Sequence, residues 1–239
     1  MVERKNMKKS PRRPAFPREI RTLYEDDDLI AIDKPPGLPA VPIPNSAAES
    51  ALSVVAATLK PLRRRAFIVH RIDRFTSGIL LFALTERSRD HLVRQFLAHT
   101  PVRQYLALVR GRMPDREGTL VHYLRRQGML QKVTLENHAG SARAELRYMV
   151  ERELREASQL RVTLVTGLQN QIRVQFAAIG HPVIGDRKYC PAEAGERRID
   201  RVALHATHLE VTHPGTKRVL AVDCPPSGDF EILVKALME

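Results

Sequence analysis

The sequence has 239 residues, of which 43% are hydrophobic, and this is enough to bury a substantial core within one large domain. Lysine and arginine outnumber aspartate and glutamate by 39 to 27, and the net charge of +12 favours a nucleic acid partner over a merely basic surface. The two cysteines, Cys190 and Cys224, exclude a multi-disulfide scaffold and a Cys-x-x-Cys zinc site.

The N-terminal residues 1–18 are basic and contain several prolines, which predicts a flexible arm that lies along phosphates or serves as a solubilising tail. The arm lacks the apolar core of a signal peptide, and no later apolar run approaches the ~20 residues that span a bilayer. We therefore expect a cytoplasmic protein without a membrane segment. Residues 19–239 show no break in composition, which predicts one compact domain.

The first half of this domain contains both strand and helix signals, without strict alternation. The segment IRTLYEDDDLIAIDKPPG predicts two short strands around an acidic turn, and a proline-rich loop follows at 37–46. Residues 47–60 predict a helix with Ser46 as its N-cap. The apolar run TSGILLFALT predicts a buried strand, residues 86–100 an amphipathic helix, and VRQYLALVRG another strand.

The second half is dominated by strand signals, at 117–123, 130–135, 142–150 and 159–165. Residues 170–180 predict a short helix that stops at Gly180. A turn-rich segment leads to strands at ALHATHLEVTHP and RVLAVDCPP and to a terminal helix, GDFEILVKALM. We therefore predict an α+β fold, a mixed and largely antiparallel sheet with flanking helices and an active-site cleft between the sheet halves.

Several common sites are not indicated. The histidines of HATH at 205–208 would lie on opposite faces of a strand, and the acidic run at 26–28 fits a solvated turn, so no metal site is expected. The sequence also lacks G-x-x-x-x-G-K-[ST], G-x-G-x-x-G and G-x-S-x-G. No cofactor is implied by these patterns.

Three polar residues lie beside apolar strands or helices. Asp73 lies in HRIDRFTSG, Tyr105 in the strand VRQYLALVRG, and Arg173 flanks the apolar side of the helix at 170–180. Each alone has an ordinary explanation, as a salt-bridged loop residue, a core aromatic or a solvated helix position.

Together these segments resemble the RluA-type pseudouridine synthases. Their H-R-[LI]-D-x-x-T-S-G motif is matched by HRIDRFTSG at every specified position. The segments EDDDLIAIDKPPGLPAVP, RQYLALVRG, IRVQFAAIGHPVIGDRKY, LHATHLEVTHP and CPPSGDFEIL also resemble the family, so the likeness covers residues 23–237.

The resemblance implies isomerisation of specific uridines in structured RNA, ribosomal or transfer, to pseudouridine by base flipping, without a metal or cofactor. Asp73 is the expected catalytic residue, attacking either C1′ of the ribose or C6 of the uracil. Arg173 is the expected cation that keeps Asp73 ionised. Tyr105 is expected to stack on the flipped base and is a candidate base for the C5 proton.

The resemblance assigns further residues around these three. Arg71 is expected to fill the space that the uridine leaves, Arg74 to contact the RNA backbone, and Arg103 to keep a charge where a lysine is common. The remaining motif residues are expected to shape the turn that presents the aspartate: His70, Thr76, Ser77 and Gly78.

One segment departs from the family. The usual T-G-R-x-H-Q-[IL]-R is here TGLQNQIR, so Leu168 and Asn170 replace an arginine and a histidine. This puts a phosphate contact and the choice of substrate in question. A catalytically idle RNA-binding protein on the same fold, favoured by this departure, is the alternative to a monomeric enzyme acting on an RNA stem-loop. A carboxylate-based hydrolase would need a second, partner acid.

Overall fold

The computed structural model describes residues 20–128 and 130–239, without the side chains of 194 and 195. The predicted arm at 1–18 lies outside the described residues. Within them no helix is both long and apolar enough to cross a membrane. The described chain folds around one large sheet.

The strands of this sheet are β1 (Arg21–Glu25), β2 (Leu29–Lys34), β3 (Phe67–Ile68), β4 (Ser77–Ala83), β5 (Val102–Arg110), β6 (Glu117–Gln127), β7 (Leu130–Thr134), β8 (Ala142–Glu153), β9 (Ala157–Leu164), β10 (Leu204–Thr212) and β11 (Val219–Asp223). The α-helices of the described residues are α1 (Ala51–Leu59), α2 (Glu86–Leu97), α3 (Gln171–Ala178) and α4 (Gly228–Met238).

The strand order is β1-β2-β4-β10-β5-β9-β8-β6-β7, with β3 added to β4 and β11 to β10. Among the described strands only β4 and β10 pair in parallel, and the other pairs are antiparallel. The predicted α+β class with a mixed, largely antiparallel sheet is therefore confirmed. The parallel pair joins the two halves of the sheet, and Ala206 of β10 lies between Gly78 on one side and Tyr105 on the other.

The hydrophobic core covers both faces of the sheet near this junction. One cluster joins Ile32 and Phe82 to Val55 of α1, while a larger cluster includes Leu81 and Leu92 of α2. All seven residues of β4 are buried, which explains why its sequence is continuously apolar and does not alternate.

The first helix begins later than predicted. Its N-cap is Ser50 and not Ser46, because Ser50 Oγ accepts from the Ser53 backbone N (3.1 Å) and Ser53 Oγ accepts from the Ser50 backbone N (2.8 Å). This reciprocal pair is a capping box in which a serine takes the usual place of glutamate or glutamine. The end predicted for the helix at 170–180 agrees better with the structure, since Gly180 follows α3 in a left-handed conformation with φ of 83°.

We expect Gly78→Ala to destabilise the fold strongly. Gly78 has φ of 100°, and a Cβ there would lie 2.2 Å from the Ala206 carbonyl oxygen, so backbone strain and a clash combine to cost about 2 to 5 kcal/mol. Gly180→Ala is the matched control, since φ is also positive but no atom lies within 4 Å of a Cβ. Urea denaturation measures both free energies of unfolding, and equal losses would contradict the prediction.

Candidate active site

The turn that carries Asp73 is held in place from within its own motif. The Thr76 backbone N donates to the Asp73 carbonyl oxygen at 3.1 Å and closes the turn. Ser77 Oγ lies 2.8 Å from Nδ1 of the buried His205, which also contacts the Cys224 carbonyl through Nε2. These contacts attach the turn to the start of β4 and to β10.

His70 anchors the other end of the motif. Its Nε2 accepts from the Leu81 backbone N at 3.0 Å, and its ring stacks on Phe96 of α2 at 4.5 Å. Burial lowers the pKa of His70 to about 3, so the ring is neutral near pH 7. A neutral ring whose Nε2 accepts a backbone hydrogen bond fits a positional role for this histidine.

A buried lysine that the sequence reading missed supports the same turn. Lys34 is fully buried, and its Nζ donates to the carbonyl oxygens of Pro35 and Leu38 (both 2.9 Å) and Arg74 (3.2 Å). Burial lowers the pKa of Lys34 to about 7. The sequence did contain a signal for Lys34, since this lysine ends a strand that begins with four apolar residues and stands directly before Pro-Pro-Gly.

Arg74 belongs to this internal support and not to the cleft. Its Nε donates to the Gly37 carbonyl at 2.7 Å, and the Gly37 backbone N donates to the Arg74 carbonyl at 2.6 Å. Its guanidinium lies 5.4 Å from the centre of the Phe75 ring. The side chain thus fastens the Asp73 turn to the proline-rich loop.

An open cleft of about 390 Å³ lies between the Asp73 turn, α2, β5 and the start of α3. This volume falls within the ~300 to 1,000 Å³ typical of small-molecule sites. The cleft brings together most of the predicted site residues: His70, Arg71, Asp73, Thr76, Arg103, Tyr105 and Arg173. Arg74, Ser77 and Gly78 do not line it.

Arg173 is held mainly by an acid other than Asp73. Its Nε and Nη2 each donate to a carboxylate oxygen of Asp186 at 2.7 Å, whereas its Nη1 lies 3.4 Å from Asp73 Oδ2. Both Arg173 and Asp186 are buried. Burial acts to lower the pKa of Arg173, but the hydrogen bonds to Asp186 outweigh it and raise that pKa. Arg173 therefore forms its bidentate pair with Asp186 and makes a single, longer contact with Asp73.

Asp186 was not identified from the sequence. It lies in the turn GDRKY after α3, where its Oδ1 also accepts from the backbone N of Lys188 (3.0 Å) and Tyr189 (3.2 Å). An aspartate that accepts from the backbone two residues later is a common turn former, so its local pattern gives no sign of the arginine. Only the fold shows that this turn former also holds Arg173.

Tyr105 lies on β5 between Ala206 of β10 and Val162 of β9. Burial raises the pKa of Tyr105 to about 12, against the opposing charge of Arg103. The phenol is therefore protonated near neutral pH. The residue also lines the wall of the cleft.

Arg103 is a buried cation with few partners. Only 9% of the residue is exposed, its Nη2 donates to the Val165 carbonyl at 3.3 Å, and its Nε has no hydrogen-bond partner among the described residues. Burial lowers the pKa of Arg103. The guanidinium lies so close to Gly167 that a Cβ added to this glycine would be 2.4 Å from Nη1.

The two departures from the expected motif have different surroundings. Leu168 packs with Tyr189 against an apolar cluster of Leu124, Ala144 and Val174, and it also lines the cleft. Asn170 is buried and contacts Arg173. The apolar side chain at 168 thus completes the wall between α3 and β6.

The histidines of HATH do not meet. His205 contacts Ser77 and Cys224, whereas Nδ1 of His208 lies 2.7 Å from Asp223. Within the described chain no three histidine, cysteine or acidic side chains cluster as ligands for a metal.

Comparison with known proteins agrees with this geometry. A sequence model described as RNA pseudouridylate synthase matches residues 28–178. The chain belongs to the RNA pseudouridylate synthase family. It is 34% identical over 226 residues to ribosomal large subunit pseudouridine synthase D of Nitrosomonas europaea, covering 91% of this chain and 65% of that protein. It is 32% identical over 232 residues to the enzyme of the same name from Zymomonas mobilis, covering 92% of this chain and 73% of that protein.

The fold of this family is also seen in a solved structure. Human RNA Pseudouridylate Synthase Domain Containing 1 aligns with a TM-score of 0.73 and 23% identity, covering 90% of this chain and 86% of that one. The chain spans between 65% and 73% of the length of the two bacterial pseudouridine synthases. The family and the enzyme class predicted from the sequence, an RNA pseudouridine synthase, are therefore confirmed.

Removing the charge of Asp186 tests the buried ion pair. We expect Asp186→Asn to lower the free energy of unfolding by about 3 to 5 kcal/mol, because the buried guanidinium loses its carboxylate partner. The matched control is Asp223→Asn, which removes a carboxylate that is 77% exposed in its pair with His208 and should cost about 1 kcal/mol or less. Urea denaturation measures both, and a loss at Asp186 no larger than at Asp223 would contradict the prediction.

Proposed function

We propose that this protein converts uridine in large-subunit ribosomal RNA to pseudouridine, with Asp73 as the catalytic carboxylate. The observation that carries the proposal is the open cleft in which Asp73 faces Arg173 and shares the walls with Tyr105. The names of the bacterial relatives state the ribosomal large subunit as their target, which favours ribosomal over transfer RNA.

The reaction breaks the N1–C1′ bond of uridine, turns the uracil, and forms a C5–C1′ bond. The C5 proton leaves and N1 gains one, so no atoms are gained or lost overall. An ionised Asp73 serves either route to this product, attack at C1′ of the ribose or at C6 of the uracil. Arg173 supplies a fixed positive charge 3.4 Å from the carboxylate, which complements the negative charge of Asp73 in the cleft.

Tyr105 takes the stacking role in this proposal. A phenol with a pKa near 12 carries its proton at neutral pH, which favours packing against the uracil over removal of the C5 proton. Stacking on an aromatic contributes ~1 to 3 kcal/mol per base, enough to help retain an extruded base.

The target uridine must leave its stack to reach Asp73, because bases within a helix do not expose the reacting atoms to a side chain. Arg71 is exposed at the cleft and lies two residues before Asp73. A guanidinium both stacks on bases and pairs with phosphate, so Arg71 is suited to occupy the vacated space. Extrusion costs a few kcal/mol, which contacts of this kind offset.

Arg103 is proposed to bind a phosphate of the target strand. The other two buried arginines of the described chain, Arg173 and Arg201, each form a bidentate pair with an aspartate. Arg103 has no carboxylate partner in the described chain, and a buried cation without an anion is costly. An RNA phosphate entering the cleft would supply that anion.

A carboxylate pair of the hydrolase type is not supported. Asp186 is fully buried, and both of its oxygens bind Arg173, so it does not act as a second acid toward a ligand in the cleft. The idle RNA-binding alternative retains binding but no turnover, and activity measurements distinguish it from the proposed enzyme.

We expect Asp73→Asn to abolish isomerisation while the fold remains intact. Large-subunit ribosomal RNA labelled with tritium at uridine C5 reports turnover as tritium released to water, with transfer RNA as a parallel substrate. Asp115→Asn, the same substitution at an exposed position away from the cleft, should release tritium at the wild-type rate. No release by the wild type from either RNA would refute the enzyme, and wild-type release by Asp73→Asn would refute the role of Asp73.

We expect Arg103→Met to weaken RNA binding and to flatten its salt dependence. Loss of one phosphate contact reduces the slope of log K against log salt by about 0.7 to 0.9. Arg103→Lys keeps the charge and should retain the wild-type slope. Fluorescence anisotropy with a fluorescent stem-loop across a potassium chloride series measures both, and an unchanged slope for Arg103→Met would contradict the phosphate contact.

A further inference from the structure

Asn170 lies where the chain enters α3, in a conformation that does not cap the helix. Its φ of 55° is left-handed, and its side chain makes no capping hydrogen bond to the backbone of the first turn of α3. Asparagine adopts this conformation more readily than most residues. The side chain is buried, so its amide must find partners inside the protein.

Both ends of the Asn170 amide have partners. Oδ1 accepts from Arg173 Nη1 at 2.9 Å, and Nδ2 donates to the Tyr189 hydroxyl at 3.1 Å. That hydroxyl also accepts from the Gln131 backbone N of β7 at 3.1 Å, so the partner itself is fixed. Reversing the amide would place its NH₂ against the guanidinium, donor against donor, and the orientation is therefore determined.

The Arg173 nitrogen that binds Asn170 is the one that faces Asp73. Nη1 carries two hydrogens, and Asp73 Oδ2 lies 3.4 Å from it. Asp186 fixes the opposite edge of the guanidinium through Nε and Nη2. Asn170 takes one Nη1 hydrogen, and this directs the other toward Asp73.

We propose that Asn170 is a positioning residue, a neutral acceptor that aims Nη1 of Arg173 at the catalytic carboxylate. The proposal rests on the proposed function of Asp73. A carboxylate at this position would compete with Asp73 for the cation. A histidine would accept the hydrogen bond only while neutral, and its protonated form would present an N–H to the guanidinium.

Two substitutions test this role without straining the backbone. Asn170→Gly removes the amide and Asn170→His replaces it with a titrating ring, and both residue types tolerate a left-handed φ. For Asn170→Gly we expect kcat to fall about tenfold, with KM for RNA changed less than about twofold, because one hydrogen bond to a charged group is lost. Asn137→Gly, in an exposed turn, is the matched control and should retain wild-type kinetics.

The pH profile distinguishes positioning from a structural role. Asn170→His should approach wild-type kcat while the ring is neutral and lose activity as the pH falls well below about 6.5, a transition absent from wild type, because burial and the neighbouring Arg173 lower the pKa of the ring. A kcat for Asn170→Gly within twofold of wild type, a loss confined to KM, or identical pH profiles for Asn170→His and wild type would overturn the proposal.

A readout that needs no turnover separates this proposal from the proposed function. Nitrogen-15 NMR of arginine side chains should show a slowly exchanging Nη1 group for Arg173 in wild type that is lost in Asn170→Gly and kept in Asn137→Gly. If the signal is lost in Asn170→Gly but wild type releases no tritium, the positioning role of Asn170 is supported and the proposed function is refuted. An unchanged signal in Asn170→Gly would refute the positioning whatever the activity.

Discussion

The buried pair of Arg173 and Asp186 is the constraint on which the site depends. A guanidinium without a carboxylate in this interior would be strongly destabilising, so α3 and the turn that follows it must fold together. Because Asp186 occupies one edge of the guanidinium with two 2.7 Å bonds, the remaining Nη1 is left for Asn170 and Asp73. Asp73 therefore faces a cation whose position is set by another acid.

The junction of the two sheet halves supplies the second constraint. Ala206 lies between Gly78 and Tyr105, so β10 brings the end of the aspartate motif and the tyrosine strand to the same place. The absence of a side chain at Gly78 permits this approach, since a Cβ would meet the Ala206 carbonyl. Lys34 and Arg74 then tie the Asp73 turn to the proline-rich loop through backbone carbonyls.

The distribution of positive charge supports an RNA-directed cleft. Arg173 and Arg201 are neutralised internally by aspartates, whereas Arg103 is buried at the cleft with no such partner among the described residues, and Arg71 is exposed at the same cleft. Arg103 and Arg71 are therefore the cleft arginines that we propose to meet a phosphate and a neighbouring base of the RNA. Leu168 stands where the family motif usually has an arginine, so this region has one positive charge fewer. Its side chain instead fills the wall between α3 and β6.

The sequence by itself determined the fold class, the main strands and helices, and the motif residues Asp73, Tyr105 and Arg173 that line the cleft. The strands and helices follow from local periodicity, Asp73 from a contiguous nine-residue motif, and Tyr105 and Arg173 from the resemblance of their segments to the family. The N-cap of α1 was placed at Ser46 instead of Ser50, because several polar residues precede the helix and only the capping hydrogen bonds select one.

The tertiary structure alone decided which partners each charged residue has. Lys34 meets the Arg74 carbonyl 40 residues away, and Arg173 meets Asp73 100 residues away. Asp186 looks locally like a turn former and Asn170 like a departure from a motif, yet both bind the same guanidinium. Hydrogen bonds between distant segments depend on burial and on the path of the chain, and neither quantity is carried by the periodicity of a single segment.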